Sequence, residues 1–235
     1  MQHFRNLFQP SYEELLRGEF PCRGKWGGFW FGNDRPIIAE LGCGKGEYTV
    51  TLAAKDPGKN YIGIDIKGAR MYSGAREALE KDLPNVAFIR TKIENTPLLF
   101  DSGEISEIWL TFPDPQLKKV KKRLTSTFFL RRYLQFLQPG GVIRLKTDSV
   151  FLYAYTLALV RLNRFDILAA TGDLYTSEVV DDVLSIRTFY EKQWLDRGIA
   201  VKYLAFRLSG EHELLEPGED FEKEEYRSFG RSART

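Results

Sequence analysis

Short apolar or β-branched runs alternate with helix-length segments through most of this chain, and that alternation leaves few folds open to it. Pro36-Ile37-Ile38-Ala39-Glu40-Leu41 reads as a buried strand closed by the glycine-rich Gly42-Cys43-Gly44-Lys45-Gly46. Tyr48 to Lys55 follows as a helix, which Asp56-Pro57-Gly58 stops. Tyr61 to Asp65 is a second strand. The next helix sets Met71, Ala75, Ala78 and Leu79 on one side before Leu83-Pro84 ends it. Val86 to Ile89 and Ile105 to Phe112 are the third and fourth strands. Leu130, Tyr133, Leu134 and Leu137 form a helical stripe ending at Pro139-Gly140-Gly141, and Val142 to Leu145 is the fifth strand. Phe151 to Leu162 is apolar on most sides, a buried helix. Thr188 to Asp196 is helical with Gly198 as its stop, and Ile199 to Leu208 supplies a final strand. Five β-then-α units predict an α/β fold with a mostly parallel central sheet and helices on both faces.

A chain of 235 residues suits one such domain with at most a small appendage. Hydrophobic residues make up 43%, enough for a sizeable core. No run of about 18 apolar residues is present, so no transmembrane helix is expected. Met1-Gln2-His3-Phe4-Arg5 lacks the apolar stretch of a secretory signal. Two cysteines, Cys22 and Cys43, and two histidines are too few for a disulfide framework or a histidine-rich metal site. A reducing cytosol and chemistry without a metal are therefore expected. Net charge is only +2, but its distribution is uneven. Pro115 to Thr147 holds nine basic residues and no acidic one, whereas Glu211 to Glu225 holds eight acids and one lysine. This asymmetry suggests a positive face for an anionic partner, with a charged helix surface as the alternative. The chain divides into an N-terminal extension packing on or near the core (residues 1–35), the α/β domain (36–208) and an acidic tail expected to be mobile (209–235).

Glycines 42, 44 and 46 let the backbone approach a ligand closely, and the helix after them offers free N–H groups. Asp65, at the end of the next strand, can accept both ribose hydroxyls of a nucleoside. Together they point to an adenosine-containing cofactor at the strand C-termini. Glu40, two residues before the first glycine, narrows the choice. A carboxylate there repels a pyrophosphate and suits S-adenosylmethionine, which carries an ammonium and a sulfonium. The acidic-x-G-x-G-x-G form resembles the first motif of class I methyltransferases. Glu40, Gly42, Gly44, Gly46 and Asp65 are the candidate cofactor residues. Cys43, with no histidine near it in sequence, is a small loop residue rather than a nucleophile.

The fourth strand runs into Phe112-Pro113-Asp114-Pro115-Gln116-Leu117 and then a basic stretch. Two prolines restrict the backbone on both sides of Asp114. A carboxylate held at the C-terminal end of a parallel strand is where substrate chemistry belongs in this architecture. A turn aspartate capping the next helix is the other possibility. Lys118, Lys119, Lys121, Lys122 and Arg123, followed by Arg131 and Arg132, suit phosphate contacts with a nucleic acid. A carboxylate beside them can bind a guanine edge through its N1–H and N2–H donors, although other anionic substrates fit the charge alone.

Phe112-Pro113-Asp114-Pro115, with Lys118-Lys119 and Lys122-Arg123-Leu124 after it, resembles the signature of the tRNA (guanine-N7-)-methyltransferase family. So do Thr147-Asp148 after the fifth strand and Thr188-Phe189-Tyr190-Glu191 ahead of Gly198. The resemblance spans roughly Pro36 to Leu208. It implies a Rossmann-like class I methyltransferase fold and a cytoplasmic enzyme that transfers a methyl group from S-adenosylmethionine to guanine N7 in the tRNA variable loop. It implies Asp114 as the catalytic residue, placed between guanine and cofactor and touching both. Lys118, Asp148, Thr188, Phe189, Tyr190 and Glu191 would bind the substrate, and Lys119, Lys121, Lys122 and Arg123 are candidates for RNA contact. Asp148 is also a good helix N-cap, and Thr188-x-x-Glu191 has the form of a capping box. Two positions depart from the family pattern. Gln116 stands where a tryptophan is frequent, and Lys92 stands where a further cofactor acid is common, with Glu94 two positions on. The competing readings are a class I methyltransferase acting on another RNA or a protein, and a non-catalytic RNA-binding subunit that kept the fold. Intact Glu40, Asp65, Asp114 and glycine loop count against the second.

Overall fold

The structure, a computed structural model, describes residues 4–210 and 212–222. Among these residues eight strands form one sheet: β1 (Leu7–Phe8), β2 (Ile37–Leu41), β3 (Asn60–Asp65), β4 (Val86–Arg90), β5 (Ile105–Thr111), β6 (Leu137–Thr147), β7 (Ile167–Thr171) and β8 (Lys202–Arg207). Their spatial order is β1-β4-β3-β2-β5-β6-β8-β7. Pairing is parallel from β1 through β6, and β8 lies antiparallel to both β6 and β7. The chain leaves β2 for β3 and β4 on one side, then returns to β5 on the other. The crevice outside the strand C-termini at such a reversal is the ligand site of open α/β sheets.

Alternate residues of each central strand enter different cores, as the two-residue strand period requires. Ile37, Ala39 and Leu41 of β2 join Ile64, Leu110, Leu130 and Tyr155, while Ile38 joins Tyr48, Val50, Met71 and Phe88. The helices are α1 (Tyr12–Leu16), α2 (Glu47–Lys55), α3 (Gly68–Glu80), α4 (Thr127–Tyr133), α5 (Val150–Leu162) and α6 (Phe189–Leu195). Residues of α2 and α3 fill one core and residues of α4 and α5 the other, so helices cover both faces. Strands buried on both sides read as continuous apolar runs, which is why β2 and β3 stand out in the sequence. The N-terminal residues extend the sheet: Leu7 pairs with Phe88. Trp26, fully buried, donates its indole N–H to Leu99 O at 3.2 Å and packs its ring on Phe8, Phe20, Phe31 and Phe100.

Three features differ from the sequence expectations. First, α4 stops at Tyr133, and Leu137 is already strand, paired with Ile105. Pro139-Gly140-Gly141 therefore lies inside β6 rather than ahead of it, and a register irregularity between Ile105 and Glu107 absorbs the extra residues. Second, Ile167–Thr171 forms the edge strand β7; it is largely exposed and lacks the in-out alternation that marks a strand in sequence. Third, the expected mobile tail docks on the core over residues 212–222. Leu214 is buried, Leu215 N donates to Asn163 Oδ1 at 2.7 Å, and the Phe221 ring packs edge-on against Phe151 and Tyr155. Two apolar anchors and a few hydrogen bonds suffice, where composition registers only the charge. Residues 223–235, also part of that expectation, lie outside the described residues.

Candidate active site

Glu40 sits near the end of β2, in register with Gly63 of β3 and Trp109 of β5, at the point where the sheet order reverses. Only 3% of it is exposed. Its Oε2 accepts Thr49 N at 2.9 Å and Thr49 Oγ1 at 2.5 Å, and its Oε1 accepts the Thr111 hydroxyl. Burial pushes the Glu40 carboxyl up from 4.5 to about 7, outweighing these donors, and the neighbouring Asp65 adds to the rise.

The loop after β2 turns on positive φ angles of 84° at Gly42, 57° at Gly44 and 76° at Gly46. Gly42 N and Cys43 N donate to Ile64 O at 2.7 and 3.1 Å, tying the loop to β3. Asp65 closes the turn from the other side: Oδ2 accepts Gly44 N at 2.9 Å and Oδ1 accepts Lys67 N at 2.8 Å. A Cβ on Gly44 would meet nothing within 4 Å, and one on Gly42 would reach only Ile93 and Leu124 methyls at 4.0 Å. Both glycines thus border open space. Gly46 does not: its Cβ would fall 2.6 Å from the Phe88 ring, which also crowds Gly63 and Gly74. Gly46 is required for packing α2 and α3 together, a correction to its expected place in the cofactor contact.

Two cavities meet at this loop. The larger, about 270 Å³, is bordered by Glu40, Tyr48, Thr111, Phe112, Asp148 and the start of α6. The smaller, about 180 Å³, lies between Ile66, Ile93, Glu94, Gln116, Leu124 and Phe129. Gly42 and Asp65 line both, so the two are ends of one trench. Its chemistry fits S-adenosylmethionine: a buried carboxylate in the larger end, a ribose-competent acid at the joint, and an apolar slot at the other end. Lys92 and Glu94 both border that slot. Glu94 is bonded to Lys122 Nζ at 2.7 Å; burial pushes its carboxyl up, but the Lys122 ammonium holds it below the usual range.

The Asp114 loop runs from one end of the trench to the other, since Thr111 and Phe112 line the larger end and Gln116 the smaller. Phe112 and Gln116 both have φ of 50°, a strained conformation for side chains of this size. Asp114 between them is exposed, and its Oδ1 accepts Gln116 N at 3.0 Å. Arg123 clamps the loop. Its Nε and Nη2 donate to Gln116 O and Leu117 O at 3.3 and 3.1 Å, and its guanidinium stacks on Phe151 and Tyr155. Arg123 is buried, which removes it from the expected RNA contacts, and Lys122 is engaged by Glu94. Lys118, Lys119 and Lys121 are exposed.

Thr188 and Glu191 form a full capping box at the start of α6. Glu191 is completely buried, with Lys146 Nζ 2.9 Å from its Oε1, to which Tyr175 OH also donates at 2.5 Å. Lys146, equally buried, donates further to Leu184 O and Ile186 O at 2.9 and 2.7 Å. Glu191 therefore anchors the segment from within, and its side chain lies outside the lining of the larger cavity, where a substrate-binding residue is expected. Thr188, Tyr190 and Trp194 do line the larger cavity, and so does the buried Asp148. Phe189 lies outside that lining: its N donates to Glu47 Oε2 at 3.0 Å and Lys45 Nζ lies 4.4 Å from its ring centre. Thr49, Thr111 and Lys146 were not legible as site residues. A lysine following the apolar run of β6 was the one available signal, because a charge inside a doubly covered strand needs a counter-charge.

A family model described as "Putative methyltransferase" matches residues 34–204. A tRNA (guanine-N(7)-)-methyltransferase of Bacteroides thetaiotaomicron is 51% identical over 235 residues, covering 100% of this chain and 93% of that protein. One of Porphyromonas gingivalis is 52% identical over 239 residues, covering 100% of this chain and 98% of its own length. Among solved structures, the 16S rRNA methyltransferase KamB superposes with a TM-score of 0.59 at 17% identity, over 75% of this chain and 89% of that one, a likeness of fold. With about half of its residues identical to these relatives over its full length, the chain belongs to the tRNA (guanine-N7-)-methyltransferase family.

Proposed function

We propose that this chain acts on a guanine in the tRNA variable loop, and that Asp114 holds the base beside the cofactor. The reaction itself is S-adenosylmethionine-dependent methylation of guanine N7 in tRNA, as in the family. The observation that carries the proposal is the strained loop that holds Asp114, exposed and outside both cavity linings, between Phe112 at one end of the trench and Gln116 at the other, with exposed Lys118, Lys119 and Lys121 after it. When bound, S-adenosylmethionine supplies a methyl carbon activated by a sulfonium. Guanine N7 carries a lone pair and no proton, so no residue of the chain is needed as a base. What the chain contributes is alignment, together with electrostatic support for the positive charge that develops on the base. Asp114 is suited to both, accepting from the guanine edge and facing the charge.

Glu40 would take the cofactor's ammonium, held in place by Thr49 and Thr111, and Asp65 would take the ribose. Asp148, Thr188 and Tyr190 would form the wall against which the base is set, with exposed Phe189 at its edge. Side chains cannot readily reach N7 inside an A-form helix, which favours an unstacked loop guanine. Lys118, Lys119 and Lys121 would hold flanking phosphates. We place the reaction in a reducing cytosol, in keeping with the free thiols of Cys22 and Cys43, both buried. No helix among the described residues is long and apolar enough to cross a membrane.

The test is methyl transfer to tRNA from cells lacking this modification, read by nucleoside mass spectrometry with site mapping. N7-methylguanosine should appear in the variable loop, and Asp114→Ala should lower turnover by roughly a hundredfold or more while the Kd for tRNA stays within about threefold. Product at another site would reject the variable loop, and near-normal turnover by the variant would remove Asp114 from the chemistry.

A further inference from the structure

Residues 212–222 run across the face that carries the basic stretch, and a groove of about 670 Å³ separates them from it. Lys121, Arg131 and Arg132 lie on one wall; Glu216, Glu219 and Asp220 lie on the other. We infer that the basic wall of this groove is part of the tRNA-backbone surface, extending it onto α4, and that the chain's own acidic segment covers that wall until RNA displaces it. The inference rests on tRNA being the substrate.

Beside its apolar anchors, the segment is held on α4 and α5 by donors that a sugar-phosphate backbone could also engage. Glu216 Oε1 accepts Thr127 N and Thr127 Oγ1, each at 2.8 Å, and its Oε2 accepts Tyr155 OH at 2.6 Å. Arg131 Nη2 donates to Leu214 O at 3.0 Å and lies 3.9 Å from Glu213 Oε1. These are anionic or carbonyl acceptors on hydroxyl, amide and guanidinium donors, and RNA offers phosphate and ribose oxygens to the same donors.

The attachment is also built to let go. Glu213, Glu216, Glu219 and Asp220 are all exposed, and Leu214 is the one deeply buried side chain among residues 212–222. The Arg131–Glu213 pair is exposed, and such a pair contributes little and weakens with salt, as does the longer-range attraction of Glu219 and Asp220 to the basic wall. Phe221 supplies the remaining anchor by packing on Phe151 and Tyr155, the two rings on which Arg123 stacks while it clamps the Asp114 loop. Segment and catalytic loop thus share one aromatic platform. Leu117, next to the clamp, lines the same groove.

Displacement has a signature in salt dependence. RNA affinity falls with salt as phosphate contacts are screened, but salt also loosens the competing segment, so the observed slope is shallower than that of the bare basic face. The experiment uses the full-length chain with E219Q/D220N, with Phe221→Ala, and with E77Q/E80Q on α3 as a control of equal charge change outside the groove. Unmodified tRNA is the probe, and Kd, KM and kcat are measured across a range of salt. E219Q/D220N and Phe221→Ala should each lower Kd and KM for tRNA by about three- to tenfold and steepen the salt slope, with kcat within about twofold and the control unchanged. Should Phe221→Ala fail to fold, the E219Q/D220N pair gives the answer alone. Unchanged or raised KM in the groove variants, or an equal gain in the control, overturns the inference while leaving the substrate assignment intact. No methyl transfer to tRNA by the unsubstituted chain overturns both.

Discussion

Glu40 is the residue at which the proposed function opposes stability most directly. Its carboxyl is nearly sealed from water, and two threonines satisfy both oxygens without restoring an ordinary acidity. Because the folded state raises its pKa from 4.5 to about 7, the fold binds a proton more tightly than the unfolded chain does. Between these values stability therefore rises as pH falls, and the ligand-free protein carries the full cost of the buried charge above pH about 7. At about 1.4 kcal/mol per pKa unit that cost is on the order of 3 kcal/mol. Glutamine keeps an acceptor for Thr49 N while removing the charge. Glu40→Gln should accordingly raise the melting temperature of the ligand-free chain by several degrees near pH 8, with the difference vanishing below pH about 4.5. It should also abolish the stabilisation given by S-adenosylhomocysteine. Scanning calorimetry at several pH values, with and without that ligand, tests both effects; an unstabilised variant at pH 8 would refute the account of burial.

At the scale of elements, the segment before α6 and the start of α6 are held over the trench by a contact that local sequence does not display. Thr188-x-x-Glu191 is legible as a capping box because its partners are three residues apart. The bond from Glu191 to Lys146 is not, because Lys146 lies on β6 and the fold alone brings them together. The same division runs through the rest of the chain. β2, β3 and the glycine loop show in sequence because their apolar runs and positive-φ turns are local properties. The end of α4 is hidden in the sequence because Leu130, Tyr133, Leu134 and Leu137 keep helical spacing while Leu137 is captured by Ile105 across the sheet. Two-residue β1 has no pattern to read, and Phe221 finds its aromatic platform only in the folded chain. For the Lys146–Glu191 pair, removing one partner leaves a buried charge without compensation, at a cost of about 3–5 kcal/mol. Lys146→Met should lower the unfolding free energy by that amount, and adding Glu191→Gln should recover much of it. The wall formed by Thr188 and Tyr190 would still be loose, so KM for tRNA should stay raised in the double variant. If stability and KM recovered together, the pair would be a core contact with no positioning role.

For the whole molecule, a net charge of +2 conceals a strongly divided surface. The basic stretch follows the Asp114 loop, and the structure gives its residues different surroundings. Lys119, Lys121 and Lys122 are all exposed, but Lys122 also bridges to Glu94 across the apolar end of the trench, where both line the cavity. A lysine on a phosphate contributes about 0.7–0.9 to the slope of log affinity against log salt, while one that stays paired to a carboxylate of the chain contributes little. Lys119→Ala with Lys121→Ala should therefore reduce the slope for tRNA by roughly 1.5 and weaken binding of different tRNAs about equally. Lys122→Ala should leave the slope nearly unchanged and instead weaken S-adenosylhomocysteine, because the bridge that closes the apolar end is gone. Salt-dependent tRNA titrations and calorimetry with S-adenosylhomocysteine on both variants separate the two tasks. If Lys122→Ala cut the slope as much as a phosphate lysine and left the ligand's affinity untouched, Lys122 would leave Glu94 when RNA docks, and the bridge would not be a part of the cofactor site.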